Sequence, residues 1–160
     1  MQDKICPIQK ANYHYVGGKC LYLETVQLNY SRARSNCKQK FNGNGRLFEP
    51  TDLTINEKVH KIAMQVYLEV FGDRIHWKIG SHRGLMVGYA IWIGVNDLTE
   101  QGKYIYDNSA VPVTMEIPWA GSLNLSSTRP GRCIEFILVN KPKWIDFSCS
   151  EQQLSICEKN

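Results

Sequence analysis

The spacing of apolar residues predicts a first helix shortly after position 30. Ser31 can cap its start, and the apolar residues that follow recur every four positions, at Ala33, Cys37 and Phe41. The Asn-Gly-Asn-Gly cluster at 42–45 then ends the helix. Cys37 is therefore expected to face the core.

A second helix is predicted from position 54, because Thr54 and Glu57 have the spacing of a capping box. Its apolar residues recur at helical spacing, and they are Val59, Ile62, Ala63, Val66 and Val70. Gly72 is expected to end this helix.

Short strands are predicted on both sides of the helices. Residues 13–23 indicate a hairpin around Gly17 and Gly18, where the turn needs positive φ. After position 91 the pattern changes to short aromatic or β-branched runs separated by turn residues, at 91–95, 103–106, 133–139, 144–149 and 154–158. The predicted fold class is α+β.

Two segments lack a sustained hydrophobic period. The insertion at about 73–90 is interpreted mainly as a loop with room for a short strand. The stretch between 106 and 133 is rich in Pro, Gly and Ser, and a loop of that length without regular structure is usually functional. The long-loop region as a whole is placed at about 96–132.

Length and composition fit one domain over residues 1–160. Of the 160 residues, 43% are hydrophobic and 21% are charged, which are ordinary globular values. The longest mostly apolar run, 85–95, is broken by glycines and is far shorter than the roughly 20 residues of a membrane helix. No membrane insertion by this domain is expected.

The net charge of +4 is unevenly placed. Segment 25–48 has no acidic residue, and its cations are Arg32, Arg34, Lys38, Lys40 and Arg46. The preferred interpretation is a solvated helix surface, and the alternative is attraction for anionic glycans or phospholipid head groups. Nucleic acid is not expected as a partner.

The six cysteines indicate an oxidising compartment, so a secreted protein or the extracellular part of a cell-surface protein is expected. The first residues lack the features of a signal peptide, and a signal or neighbouring segment is taken to have been removed. Six cysteines allow many pairings, and their spacing alone does not choose between them. The oligomeric state is left open.

Four motifs stand between the cysteines: Gly-Arg-Leu-Phe-Glu-Pro at 45–50, Trp-Ile-Gly-Val at 92–95, Trp-x-Asp-x-x-Cys at 144–149 and Ile-Cys-Glu at 156–158. In this order they resemble the C-type lectin-like domain over nearly the whole chain. The resemblance implies two helices with antiparallel sheets, a long loop and the long form with an N-terminal hairpin. It also implies three disulfides, which pair Cys6 with Cys20, Cys37 with Cys157 and Cys133 with Cys149.

In the sugar-binding members of that family, acids and amides of the long loop hold calcium, which needs roughly six to eight oxygen ligands. The family's Glu-Pro-Asn triplet corresponds to 122–124 here and keeps only Asn124. Two residues before Cys133, where an acid is expected, stands Gly131, and its neighbour is the cation Arg132.

The family's Trp-Asn-Asp motif has also lost its amide, since Ile145 replaces it while Asp146 survives. Asn124 and Asp146 are too few ligands, so no cofactor is expected, and calcium is possible but not expected at the main site. Three further acids lie where auxiliary calcium ligands sometimes occur, namely Asp97, Glu100 and Asp107. They are interpreted as exposed loop acids.

Asn29-Tyr-Ser and Asn124-Leu-Ser are N-glycosylation sequons. A glycan on Asn124 would cover the former sugar position. Occupancy of either asparagine is a hypothesis.

No catalytic arrangement is recognisable, so the chain is not expected to be an enzyme. The histidines are scattered, and those of the insertion, His76 and His82, are interpreted as exposed loop residues rather than zinc ligands. Trp92 and Trp144 are expected in the core, and Trp119 is expected to anchor the long loop.

Candidate ligand contacts lie in the insertion and the long loop. They are Arg74, Trp77, Lys78, Arg83, Asn124, Arg129, Arg132 and Asp146. Arginine and aromatic residues are enriched at interface anchors, and cations beside a ring suit a sulfated sugar. Alternatively, the apolar residues of the insertion simply fold it onto the domain.

The predicted function is noncatalytic extracellular recognition of a protein or an anionic glycan without calcium. One alternative is a carbohydrate-binding lectin with a noncanonical calcium site. Another is an extracellular matrix or mineral-associated component.

Overall fold

The computed structural model describes residues 6–71, 78–79, 86–87, 90–119, 132–137 and 143–160, with the backbone alone at 71, 78, 79, 86 and 87. The predicted α+β class is confirmed. In chain order the elements are β1 Tyr13–Val16, β2 Lys19–Leu28, α1 Tyr30–Gly43, β3 Gly45–Leu47, α2 Leu53–Phe71, β4 Lys78–Ile79, β5 Met86–Val87, β6 Ala90–Asn96, β7 Ile105–Tyr106, β8 Cys133–Ile137, β9 Lys143–Phe147 and β10 Gln153–Lys159.

The main sheet brings the two ends of the chain together. Its strand order is β1-β2-β10-β6-β8-β9, with β3 also pairing with β10 and β7 with β6. The pairs of this sheet are antiparallel except β6 with β10, which run parallel. The expectation of antiparallel sheets is therefore wrong at this pair. The last strand lies between β2 and β6, which run in opposite directions, so it can be antiparallel to only one of them.

The three predicted disulfides are confirmed. Their Cα atoms are 5.3 Å apart for Cys6–Cys20, 5.1 Å for Cys37–Cys157 and 5.3 Å for Cys133–Cys149. Cys37 is fully buried, as predicted, and the pair with Cys157 joins α1 to β10. The other two bridges link the segment before β1 to β2 and the segment after β9 to β8.

Helix α1 is capped two residues earlier than predicted. Asn29, not Ser31, is the cap, and its Oδ1 accepts a hydrogen bond of 2.9 Å from the Arg32 backbone N. At the other end, Phe41 and Asn42 both have φ of 56°, so the regular helix stops before the asparagine and glycine cluster.

Helix α2 is capped by Asp52, whose Oδ1 accepts 2.8 Å from the Ile55 backbone N. The predicted capping box of Thr54 and Glu57 is therefore wrong. The predicted apolar face is wrong at Val70, which is 42% exposed. Its other members are buried (Val59 and Ala63) or partly buried (Ile62 and Val66), and the core also includes Ile55 and Tyr67, which were not predicted.

The short strand β3 was not predicted and lies within the 45–50 motif. It pairs antiparallel with β10, with Leu47 opposite Cys157. A side chain at Gly45 would overlap the Cys37 carbonyl oxygen, so only glycine lets β3 approach α1 this closely. Within the insertion, β4 and β5 pair with each other, which gives two short strands where one was considered possible.

Tyr67 provides a first test of how α2 is held. Its ring is fully buried, and its hydroxyl lies 2.8 Å from the Glu24 carbonyl oxygen and 3.2 Å from that of Ser155, on neighbouring strands. Tyr67→Phe leaves these carbonyls without that donor, so we expect a loss of about 1–2 kcal/mol in the free energy of unfolding by urea titration.

Tyr15→Phe is the matched control, because Tyr15 is 45% exposed on β1. This variant should stay within about 0.5 kcal/mol of the wild type. Equal losses in the two variants would show that the buried hydroxyl does not hold α2 on the sheet.

Candidate recognition surface

The end of β6, the start of β8 and the end of β9 meet at one end of the sheet. Asp97 follows β6, and its backbone N donates 3.1 Å to the carbonyl of Arg132, which precedes β8. Asp146 stands opposite Ile134 on the β8–β9 pair. We call the residues gathered here the loop-end cluster: Asp97, Tyr104, Trp119, Arg132 and Asp146.

Within the loop-end cluster, Arg132 turns its guanidinium onto Asp97. Its Nη2 donates 2.6 Å to the Asp97 backbone carbonyl, and its Nε lies 3.6 Å from the Asp97 Oδ1. The other carboxylate oxygen accepts 2.8 Å from the Gly102 backbone N. The Asp97 side chain is 4% exposed, so its interpretation as an exposed loop acid is wrong, and it faces a cation fixed by the fold.

Asp107 is likewise held rather than exposed. The Arg34 guanidinium reaches both its oxygens, with Nη2 2.6 Å from Oδ1 and Nε 2.9 Å from Oδ2, and Asn96 donates a further bond of 2.9 Å. The third acid, Glu100, is exposed as predicted and pairs at 3.0 Å with the exposed Lys103.

These contacts also divide the basic segment 25–48. Arg34 forms an ion pair with Asp107, and Arg46 lies 3.4 Å from the carboxylates of Glu49 and Glu158. The solvated-surface interpretation is therefore wrong for both arginines.

The other three cations of the segment have no such partner among these acids. The Lys40 Nζ lies over the Tyr22 ring, 4.2 Å from its centroid. Arg32 and Lys38 remain exposed, as the solvated-surface interpretation requires.

An aromatic pair covers one side of the loop-end cluster. The rings of Tyr104 and Trp119 meet edge to face with centroids 5.1 Å apart. Burial, followed by the negative charges of Asp146 and Asp97, raises the pKa of Tyr104 to about 12, so its hydroxyl stays protonated at neutral pH. Tyr104 was not predicted as a site residue, although an aromatic residue two positions after Gly102 was a visible signal.

Trp119 also contacts the sheet through its backbone. It forms a bridge with Trp144, and the Trp144 backbone N donates 2.9 Å to the Pro118 carbonyl. Trp92 and Trp144 are fully buried, which confirms their prediction as core residues. The segment that ends at Trp119 is therefore fixed against β9.

The family of the chain follows from a match to a known domain. The model of the Lectin C-type domain family matches residues 26–159. The chain belongs to the C-type lectin domain family. The resemblance found in the motifs and cysteines is thereby confirmed.

Relatives of this C-type lectin domain share its fold at low identity. A tetranectin-like protein of Carcharhinus perezii is 36% identical over 78 residues, which are 49% of this chain and 45% of that protein. Human lithostathine is 19% identical with a TM-score of 0.69, covering 100% of this chain and 95% of that one. The C-type lectin CEL-I from Cucumaria echinata is 16% identical with a TM-score of 0.64, covering 94% and 96%. The two structures establish the fold alone.

The sequence-predicted contacts are only partly visible in this C-type lectin domain. Arg132 and Asp146 come to the same end of the sheet. Lys78 has a described backbone in β4, and the remaining candidates lie outside the described residues: Arg74, Trp77, Arg83, Asn124 and Arg129.

The described ranges contain no group of three His, Cys, Asp or Glu side chains that could hold a metal. His60 is buried on α2, with Nε2 3.2 Å from the Ile137 carbonyl, and burial lowers its pKa. The neutral ring therefore has a packing role. Among the described helices, none is long and apolar enough to cross a membrane.

Proposed function

We propose that this C-type lectin domain is a noncatalytic extracellular recognition domain that binds a protein or an anionic glycan without calcium. Membership of a family of recognition domains and the three disulfides support the noncatalytic and extracellular parts. The observation that carries calcium independence is the Arg132 guanidinium on Asp97.

The physical reason is competition for oxygen atoms. Calcium needs roughly six to eight oxygen ligands, several of them charged. The Asp97 carboxylate already faces Arg132, and both oxygens of the Asp107 carboxylate accept hydrogen bonds from the Arg34 guanidinium. A calcium ion at either carboxylate would have to displace an arginine that the fold keeps in place.

Thermal unfolding with calcium or with a chelator tests this proposal. We expect the melting temperature to be the same within about 1 °C in both conditions. A calcium site filled at a hundred times its Kd would instead add about 2.7 kcal/mol, or several degrees. A clear rise with calcium, or glycan-array binding abolished by the chelator, would favour the lectin with a noncanonical calcium site.

The Arg132 contact itself predicts a stability effect. Arg132→Ala leaves the buried Asp97 carboxylate without its cation, so we expect a loss of about 1–3 kcal/mol in the free energy of unfolding. Lys103→Ala is the control, because Lys103 and Glu100 are 71% and 60% exposed and such pairs contribute at most about 1 kcal/mol. Similar losses for both variants would remove Arg132 from its proposed role.

Ligand contacts in the insertion remain a prediction from sequence. Replacing Arg74, Lys78 and Arg83 together with alanine should weaken binding to a partner captured from the native tissue. Unchanged affinity would exclude the insertion as the binding surface. Adsorption to calcium carbonate without glycan selectivity would favour the mineral-associated alternative.

A further inference from the structure

Asn29 lies outside the loop-end cluster and has two features of its own. It opens the sequon Asn29-Tyr30-Ser31, and its side chain caps α1. We infer that Asn29 carries an N-linked glycan while it continues to cap the helix. This inference rests on the proposed extracellular function, because only exported chains meet the glycosylation machinery.

The two roles use different atoms of the same amide. The cap uses Oδ1, which accepts from the Arg32 backbone N at 2.9 Å. Nδ2 makes no hydrogen bond within the described part of the chain, and Asn29 is partly exposed. A sugar on Nδ2 leaves the carbonyl oxygen in place, so the glycosylated residue keeps its capping acceptor.

The transfer takes an oligosaccharide from a lipid-linked diphosphate donor. The bond between sugar C1 and the phosphate oxygen breaks, a bond between C1 and Nδ2 forms, Nδ2 loses one proton, and the lipid diphosphate leaves. In the folded domain Tyr30 is 1% exposed and lies in the first turn of α1. The sequon is therefore accessible before α1 packs, and the glycan is attached before folding is complete.

The position of the glycan also limits where a ligand can bind. Tyr30 donates its backbone N to the Cys149 carbonyl at 3.0 Å, so the glycan leaves the domain beside the third disulfide. The exposed Arg32 lies one turn from the attachment point. A glycan there shields Arg32 from a large anionic ligand.

Expression in a eukaryotic secretory host tests the inference. Asn124→Gln provides the background, since Asn29 then opens the one sequon left in the sequence. We expect glycosidase-sensitive mass on the tryptic peptide that contains Asn29. This mass should persist in Ser31→Thr and disappear in Ser31→Ala, because the sequon requires a hydroxyl at this position.

The glycan is measured in both the secreted and the cell-associated fractions. Its absence from Asn29 in both would overturn the inference. A chain that is glycosylated but never secreted with its disulfides would count against the extracellular function and leave the inference standing.

The cap has its own readout. In the same background Asn29→Asp cannot be glycosylated but keeps a capping oxygen, so it should have the same melting temperature as the protein trimmed by an endoglycosidase that leaves the first sugar on Nδ2. Asn29→Ala should melt about 2–4 °C lower. Identical melting of the aspartate and alanine variants would show that Asn29 does not cap α1.

Discussion

Replacing Cys37 and Cys157 together with alanine should lower the free energy of unfolding by about 5 kcal/mol. The two cysteines are 120 residues apart in sequence, so their bond removes more conformations from the unfolded chain than the other two bonds, which span 14 and 16 residues. In the chain-entropy model each of those contributes about 3 kcal/mol.

The folded state adds to this difference. Both cysteines are fully buried, and the bond fixes α1 to β10, the strand that joins the N-terminal hairpin to the rest of the sheet. Alanine at both positions leaves a small gap in the cluster that also contains Trp92. The loss should therefore not fall below the entropic value.

Urea unfolding measures both parts of the prediction. The double alanine variant should show a lower midpoint and a steeper dependence on urea, because its unfolded chain is more expanded. The pair Cys6→Ala and Cys20→Ala is the control, with an expected loss of about 3 kcal/mol. A loss at 37 and 157 no larger than in the control would contradict the argument from loop length.

The parts of the fold that the sequence predicted are those with local or motif signals. Three features are marked by residues that are typical of few other structures. They are the Gly17-Gly18 turn, the strand around Trp92 and the cysteine framework. Gly17 and Gly18 have φ of 57° and 81°, as the predicted turn requires.

The helix caps show why local signals fail. Asn29 and Ser31 are both good capping residues, as are Asp52 and Thr54, so the sequence offers two starts for each helix. The choice depends on packing, which buries Tyr30 and Tyr67 and so fixes the rotation of each helix. The parallel β6–β10 pair is equally nonlocal, because it joins Ile91 to Leu154.

The site was harder to predict than the fold, since charge neutralisation is decided by distance in space. Arg34 and Asp107 are 73 residues apart, and Arg132 and Asp97 are 35 apart. In the sequence, Arg34 indicates a basic surface, Arg132 indicates a ligand contact, and the two acids indicate exposed loops. Their pairing, which converts both groups into structural contacts, appears only once the sheet brings them together.

Glu135 is the least expected residue of the core. It lies on β8 between Trp92 of β6 and Ile145 of β9, and it is fully buried. Neither carboxylate oxygen has a hydrogen-bond partner in the described part of the chain. Burial raises its pKa well above the usual value, and the nearby acids Glu151 and Asp146 add to the shift.

This raised pKa makes the stability of the domain depend on pH. Glu135 binds a proton more tightly in the folded state than in the unfolded state, where its pKa is near 4.5. Its favourable contribution is therefore complete below pH 4.5 and is lost as the pH rises towards the folded pKa. Over that interval the loss approaches about 1.4 kcal/mol per pH unit.

Glu135→Gln removes this titration while keeping the shape of the side chain. We expect the stability of the variant relative to the wild type to increase as the pH rises above 4.5, by at most about 1.4 kcal/mol per pH unit. Urea unfolding at several pH values gives the difference directly. Glu57→Gln, on the exposed face of α2, should differ from the wild type by about 0.5 kcal/mol or less throughout. Parallel stability curves for Glu135→Gln and the wild type would mean that the buried carboxylate is ionised in the folded domain, with a compensating charge beside it.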